Sequence, residues 1–394
     1  MGHSMQVKVR ANADAAEVRI FANPDVWLEA SAVEQLHTTA TLPHIRAAVG
    51  LPDLHPGRGY PVGAAFFSTG HFYPALVGGD IGCGMALWQT PLKTHQYSAQ
   101  KLEKRIGSQE GALPEALQAG AYAELNGLLQ EVSLPIDASL LASSLGTIGG
   151  GNHFAEVLAL DHLYEAASAL QLSAKTLYLL VHSGSRGLGG AILRAHVDAF
   201  GHRGLAANSP AAAAYLQQHD LAQQFAHCNR HWIAQRFLHS LRSEGECLLD
   251  VSHNHVLAAT YQGQSGYLHR KGATPSDQGI VMVPGSRGDY SYLVRPVAER
   301  QEALCSLAHG AGRKWARADC EGRLSAKFHA SDLRTTRFAS SVVCNDKALL
   351  FEEAPQAYKK VDSVVATLVD AGLVELIARF KPVLTYKKGA PTCC

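Results

Sequence analysis

Four short stretches of the chain carry metal-binding side chain types, three of them on glycine-flanked turns. The first, Gly78-Gly79-Asp80-Ile81-Gly82-Cys83-Gly84, sets a carboxylate and a thiol three residues apart, close enough to turn toward one point. The second is Gly149-Gly150-Gly151-Asn152-His153-Phe154-Ala155-Glu156. The third, Val181-His182-Ser183-Gly184-Ser185-Arg186-Gly187, ends an apolar run on a histidine. The fourth is Asp250-Val251-Ser252-His253-Asn254. Each is common enough by itself to be structural. Together, Asp80, Cys83, His153, His182 and His253 point to a shared divalent-metal centre, and by ligand type alone zinc suits them best.

A second set of residues asks for an anion. Pro284-Gly285-Ser286-Arg287-Gly288 is a tight turn whose backbone N–H groups can cradle a phosphate. His309-Gly310-Ala311-Gly312-Arg313 puts a histidine beside two glycines that admit a bulky group, followed by a guanidinium fork. From Arg313 to Arg337 the chain carries an excess of Lys and Arg over Asp and Glu, which reads as a solvated face or a phosphate-facing strip. His227 and His231, four apart in HCNRH, lack the Glu of a metalloprotease motif and read as structural, as does His255.

The elements that must position these groups alternate in type without a regular period. Val7, Val9, Val18 and Ile20 suggest early strands. Helices are expected over Trp27–His37, Ala99–Ile106, Pro114–Glu131 and Pro210–Ser243, with Pro114 suited to a first helical position. Thr176–His182 reads as a buried strand running into a glycine turn. A helical region is expected over Ala354–Ala378, then a last strand near Val383–Tyr386. No linker, repeat or low-complexity block interrupts the 394 residues, so residues 1–394 are expected to form a single mixed α+β domain.

Composition narrows the function class. Lys+Arg 35 against Asp+Glu 34 excludes a protein that binds nucleic acid through bulk positive charge, so any polyanion must meet a local patch or a metal. The 8 cysteines show no CxxC pairs, the terminal Cys393-Cys394 reads as a free tail, and no apolar run is long enough to span a bilayer. These features fit a reduced, cytoplasmic protein with no membrane partner.

The ordered segments PDLHPGRGYPVG, GGDIGCG, GGGNHFAEV, VHSGSRGLG, DVSHNH, VPGSRG, HGAGR and EEAPQAYK, from Gly50 to Lys387, resemble the RtcB-type RNA ligases. The resemblance implies a GTP-dependent enzyme that joins an RNA 3′-phosphate or 2′,3′-cyclic phosphate to a 5′-hydroxyl. It implies two manganese ions in place of zinc, a guanylylated histidine and an RNA(3′)pp(5′)G intermediate. His309 matches the nucleophile. Asp80, Cys83, His153, His182 and His253 match the metal ligands, with Cys83 bridging. Asn152 and Arg313 match phosphate contacts, and Glu156 a residue near the nucleotide. Gly310, Ala311 and Gly312 fall in the nucleotide-binding motif, and Ser286 and Tyr358 match the guanine pocket. Lys387 matches the lysine that reads guanine, with Lys388 its neighbouring alternative. Arg186 matches an RNA-phosphate contact, and Asp53 lies in a matching motif. Arg287 departs from a position often apolar in the family. The chain resembles a shorter bacterial branch, some members of which accompany a release-factor-like protein, which implies RNA repair. A cyclic phosphodiesterase, or a 3′-end guanylyl-capping enzyme without efficient sealing, is the alternative.

Overall fold

A computed structural model describes residues 16–129, 132–164, 170–297 and 300–389, together with the backbone of the strand Met5–Gln6. Val7, Val9, Glu131 and the Cys393-Cys394 pair lie outside the described residues. Two large sheets form the framework. One has six strands in the order Met5–Gln6, Glu17–Ala22, Ile45–His55, Val62–Ser68, Gln264–Lys271, Asn254–Tyr261. The other runs Glu246–Ser252, Gly84–Lys93, Thr176–Ser183, Phe154–Leu163, Val374–Lys388, Ser291–Pro296, Val281–Pro284, with Ser341–Cys344 pairing parallel to Val374–Lys388. Most pairings are antiparallel, and helices cover the outer faces, so the fold is mixed α+β as expected.

Period-two alternation explains why both sheets are buried on two sides. In Ile45–His55, Ala47, Val49 and Leu51 face the core shared with Val283, Val294 and the helix Val361–Asp370. Ala48, between them, faces the opposite layer, where Leu36 of the helix Ala30–Ala40 packs. In Thr176–Ser183, Leu177, Leu179 and Val181 pack on the long helix Pro210–Leu241. Tyr178 and Leu180 point the other way, into a cluster that joins Leu249 of the second sheet's first strand to Met282 of its last. The sheet therefore curls until its ends share one apolar interior, and His182 sits on that concave side.

The helix Pro210–Leu241 is capped by Ser209, whose side chain accepts from the Ala212 N–H, with Pro210 at the first turn. Its 32 residues extend about 48 Å. The expected helix over Ala354–Ala378 is corrected: the α-helix is confined to Val361–Asp370, after a short 3₁₀ turn Pro355–Ala357, and Val374–Lys388 is one strand. Gly372, at φ 64°, stops the helix, and the following run of apolar and β-branched residues pairs on both edges. Pro382, which has no N–H to donate, sits where the ladder shifts register.

Candidate active site

The four glycine-rich clusters converge where the two sheets meet. His253 is the single residue between the strand Glu246–Ser252 of one sheet and Asn254–Tyr261 of the other. Its backbone N–H donates to the Cys83 carbonyl at 2.7 Å, so the loop carrying Asp80 and Cys83 is pinned to the junction. Cys83 Sγ lies 3.3 Å from His153 Nε2 and 3.2 Å from His182 Nε2. Asp80 Oδ2 lies 2.9 Å from the same His153 nitrogen. His253 stacks obliquely on His182, ring centroids 5.2 Å apart.

This donor set fits a metal. His153 Nδ1 donates to the Ile148 carbonyl and His182 Nδ1 to the Asn152 carbonyl, both at 3.2 Å. With its hydrogen on Nδ1, His182 presents an unprotonated Nε2 toward Cys83, and a metal there would ask the same of His153. Burial, then the neighbouring imidazoles, hold His182 and His253 well below the ordinary histidine range, so both are neutral and have lone pairs to give. Burial and then Asp80 push the Cys83 thiol up, which means a thiolate there needs a cation for compensation. Burial also raises the Asp80 carboxyl, but His153 outweighs it and holds Asp80 down to about 2. The ligand atoms of Cys83, His153 and His182 lie within 4.8 Å of one another, a group that could hold a metal ion.

A buried polar stripe on the long helix sets these loops. Arg230, fully buried, donates through Nη1 to the carbonyls of Gly82 at 2.6 Å and Ser183 at 2.9 Å. Its Nη2 reaches Ser252 Oγ, and its Nε binds Asp250 at 2.6 Å. One guanidinium thus ties the turns next to Cys83, His182 and His253. Asn229 binds the Gly146 N–H and the Gly184 carbonyl, linking the turn before His153 to the turn after His182. Gly82, at φ 74°, packs so close that a Cβ would lie 2.8 Å from Ala226 of this helix. In the HCNRH stretch the middle residues Asn229 and Arg230, not the histidines, do the positioning. The legible signal was Asn229 and Arg230 at stripe positions otherwise filled by Ala226, Ile233 and Phe237. His227 bonds Asp250 and Arg230, His231 packs edge-on to Trp232, and His255 pairs with Arg270, so all three are structural.

His309 continues the line of imidazoles, 4.7 Å from His253 by ring centroid. Its Nδ1 donates to Asp53 Oδ2 at 2.6 Å, and its backbone N–H donates to the same oxygen at 3.1 Å. Asp53 fixes the ring and leaves Nε2 as the nitrogen free to react. Asp53 is itself held: buried Lys359 donates to the carbonyls of Pro52 at 3.0 Å and Leu54 at 2.7 Å. Gly312, at φ 71°, approaches so closely that a Cβ would meet the Asp53 carbonyl at 2.3 Å.

The same cavity extends from these histidines to a wall centred on buried Glu353. Arg313 Nη1 binds Glu353 at 3.0 Å, the Tyr358 hydroxyl donates to it, and Lys387 lies 3.4 Å away. Burial would raise the Glu353 carboxyl, but Lys387 and Arg313 hold it down to about 2. Glu156 is the opposite case. Burial drives its carboxyl up to about 8, although it accepts from Thr385 and lies near Lys387.

Asn152, Glu156, Ser286, Gly310, Ala311, Gly312, Arg313, Tyr358 and Lys387 all line this cavity, with His309, His182 and His253. Lys387 faces inward and is buried, whereas Lys388 points out and pairs with Asp346, as strand alternation requires. Arg313 commits its N–H groups to Glu353, Tyr358 and the carbonyls of Glu352 and Trp315, so its fork braces the wall. Arg186 stands off the cavity, bonded to Thr147 beside the Gly149 turn. The basic stretch after Arg313 divides: Arg317 turns toward Glu353, while Arg323 and Arg337 pair with Asp319 and Asp289. Glu353, Lys359, Asn229 and Arg230 were not singled out from sequence.

Among the described residues, no helix is long and apolar enough to cross a membrane. A family model described as tRNA-splicing ligase RtcB matches residues 35–133 and 136–388. An RNA-splicing ligase RtcB2 of Escherichia coli is 51% identical over 381 residues, covering 96% of this chain and 97% of its own. A tRNA-splicing ligase RtcB of Archaeoglobus fulgidus is 32% identical over 90% of each chain. An RNA-splicing ligase RtcB of Mycobacterium tuberculosis is 28% identical over 88% of this chain and 98% of its own. The ligand loops, the Asp53–His309 pair and the Glu353 wall all fall within the matched residues, and the chain belongs to the RtcB family.

Proposed function

We propose that this chain is a GTP-dependent RNA ligase. It joins an RNA 3′-phosphate, or a 2′,3′-cyclic phosphate after opening it, to a 5′-hydroxyl, and residues 1–394 act as one catalytic unit in the cytoplasm. The observation that carries the reading is the Asp53–His309 pair standing 4.7 Å from the ligand cluster by ring centroid, in one cavity. A histidine whose Nδ1–H is held by a buried carboxylate is a nucleophile at Nε2, and its cationic product is stabilised by the same carboxylate.

His309 Nε2 attacks the α-phosphorus of GTP, forming a P–N bond as pyrophosphate leaves. An oxygen of the RNA 3′-phosphate then attacks that phosphorus, breaking the P–N bond and giving RNA(3′)pp(5′)G. The 5′-hydroxyl attacks the RNA-side phosphorus, GMP leaves, and the 3′,5′-diester forms. Asp80, Cys83, His153, His182 and His253 would hold manganese, two ions by the family resemblance, and the bound metal would supply Lewis-acid stabilisation of phosphate charge. Cys83, whose Sγ lies between His153 and His182, would be a ligand as its thiolate. Asn152 and the Gly310–Gly312 backbone border the phosphates, Ser286, Tyr358 and Lys387 the base, and Glu156 the nucleotide. Arg186, outside the cavity, is assigned to the RNA phosphate backbone. The family likeness supports RNA repair as the setting, with a release-factor-like protein as partner.

The test is incubation with α-labelled GTP and manganese. The protein acquires a label stable to alkali and lost in acid, and His309→Ala does not; labelling that survives in the variant refutes the assignment. Supplying RNA with 3′-phosphate and 5′-hydroxyl ends then gives joined product, whereas phosphate release alone excludes ligation.

A further inference from the structure

A second recess, of about 420 Å³, opens beside the active-site cavity and is large enough to receive a small organic group. Five of its nine lining residues carry aromatic or imidazole rings, His44, Tyr60, His71, Tyr73 and His202, and none of the nine is a carboxylate. His44 and His71 stack face to face, centroids 3.9 Å apart and 12° from parallel. Burial, then the neighbouring His44, hold His71 below the ordinary histidine range, so the stack does not set two cations against each other. Tyr60 tilts against His202, centroids 5.9 Å apart. His44, His202 and Arg203 are exposed and Tyr60 and His71 half-buried, so a ligand reaches these rings without the fold opening.

Core packing does not account for His44. Its backbone has φ 66°, a left-handed conformation uncommon outside glycine, yet its ring lies at the surface. The His44 carbonyl accepts from the Thr69 N–H at 3.1 Å, Arg46 Nε donates to Thr69 Oγ1 at 3.1 Å, and the Tyr73 hydroxyl donates to the Pro43 carbonyl. Three hydrogen bonds thus fix a turn that presents an exposed imidazole. These imidazoles do not make a second metal centre. Among the described residues, Cys83, His153 and His182 are the group of three whose ligand atoms lie within 4.8 Å of one another, and no recess residue joins such a group. What the recess offers is flat ring faces beside cations: Arg203 lines it, and exposed Arg58 lies in the turn that carries Tyr60. That combination suits a base and its phosphate, the recognition chemistry of single-stranded RNA.

Tyr60 joins the recess to the reaction centre. Lys271 Nζ stands 5.6 Å from its ring centroid, and Lys271 lines the active-site cavity with His309. His55 and Val62, on either side of Tyr60 in the chain, line that cavity too. An RNA strand that leaves the cavity past Lys271 meets the Tyr60 ring at the edge of the recess.

We propose that the His44–His71 stack, Tyr60 and His202 form a subsite that stacks a base of the single-stranded RNA flanking the reacting end, with Arg203 on its phosphate. The inference rests on the RNA-ligase reading above. A ring face accepts any of the four bases, so the subsite adds affinity without fixing sequence. It also gives a chain with Lys+Arg 35 against Asp+Glu 34 a local hold on RNA that bulk charge does not supply.

The experiment measures equilibrium binding, by fluorescence anisotropy with manganese and without GTP, of two short single-stranded RNAs, one ending in a 3′-phosphate and one beginning with a 5′-hydroxyl. In each, nucleotides are made abasic one at a time from the reacting end. In the parent, an abasic position near that end weakens binding by about tenfold, and the strand that shows it is the one the recess holds. His44→Ala, and separately His202→Ala, weaken the intact RNA several-fold and shrink the response to that same abasic position, because both changes remove one contact. His44→Phe, which keeps a flat ring, retains binding. Guanylylation by α-labelled GTP stays unchanged in these variants, so the reaction centre is intact. If no abasic position costs affinity in either strand, or if its cost is the same in the alanine variants as in the parent, the inference is overturned while the ligase reading stands. If the parent binds neither RNA, the ligase reading itself fails, and this inference with it.

Discussion

The two ends of the cavity are built on opposite electrostatic plans. At the sheet junction, neutral imidazoles, a thiol and a carboxylate crowd together and offer lone pairs. At the Glu353 wall, Arg287, Arg313, Arg317 and Lys387 surround one carboxylate and offer N–H groups. The first end offers lone pairs that suit a cation, and the second offers cationic N–H groups around a single carboxylate. A molecule that brings metal-bound phosphates at one end and a hydrogen-bond-accepting base at the other suits both. His309 stands toward the first end, beside His253.

The ends differ equally in how they are held. The loops carrying Cys83 and His182 are fixed through backbone carbonyls by Arg230 and Asn229 from a helix behind. The Glu353 wall is held by its own side chains, which bond to one another. Damage at the first end should therefore spread through a positioning network, whereas damage at the second should stay local.

The sharpest break in this picture is at the nucleophile. His309→Ala abolishes guanylylation, and Asp53→Asn, which disturbs the tautomer while keeping the shape, lowers its rate by about a hundredfold or more, read by single-turnover labelling. Arg230→Met comes next. It leaves Asp250 half-paired and three loop contacts unmade, at a cost of about 3 kcal/mol in urea unfolding. Manganese affinity falls too, although Arg230 touches no ligand side chain; unchanged affinity would separate the helix from the site.

Glu156 sharpens the comparison through pH. Its folded carboxyl titrates near 8, against 4.5 for the ordinary group, so the folded state binds the extra proton between those values. Stability in the nucleotide-free protein therefore declines as pH rises through that window. Glu156→Gln removes the decline and is more stable than the parent at pH 8 by roughly 1–3 kcal/mol, with the gap closing by pH 5. A gap independent of pH refutes the buried neutral carboxyl. The smallest effect belongs to Lys388→Ala, whose exposed pair with Asp346 contributes about 0–1 kcal/mol. It leaves GTP affinity unchanged, while Lys387→Ala weakens it, measured by equilibrium titration with GTP.

Much of the site was legible in the chain. The residue types Asp80, Cys83, His153, His182 and His253 pointed to a metal, and the fold brings Cys83, His153 and His182 into one group that could hold an ion. The ordered motifs identified the family, and the continuous apolar run Thr176–His182 marked a strand that is buried along its length. Zinc as the metal preference came from ligand type alone, which says nothing about supply or open coordination. The helix expected over Ala354–Ala378 misread a strand because apolar runs at 374–380 carry no period that distinguishes the two. Tertiary structure decided what lies far apart in sequence. That His253 joins two sheets, that Asp53 holds His309, and that Lys387 rather than Lys388 faces the cavity follow from register and long-range pairing. The roles of Glu353 and Arg230 depend on burial: a charged side chain is ordinary in water, and only its desolvation inside this fold makes its partners consequential.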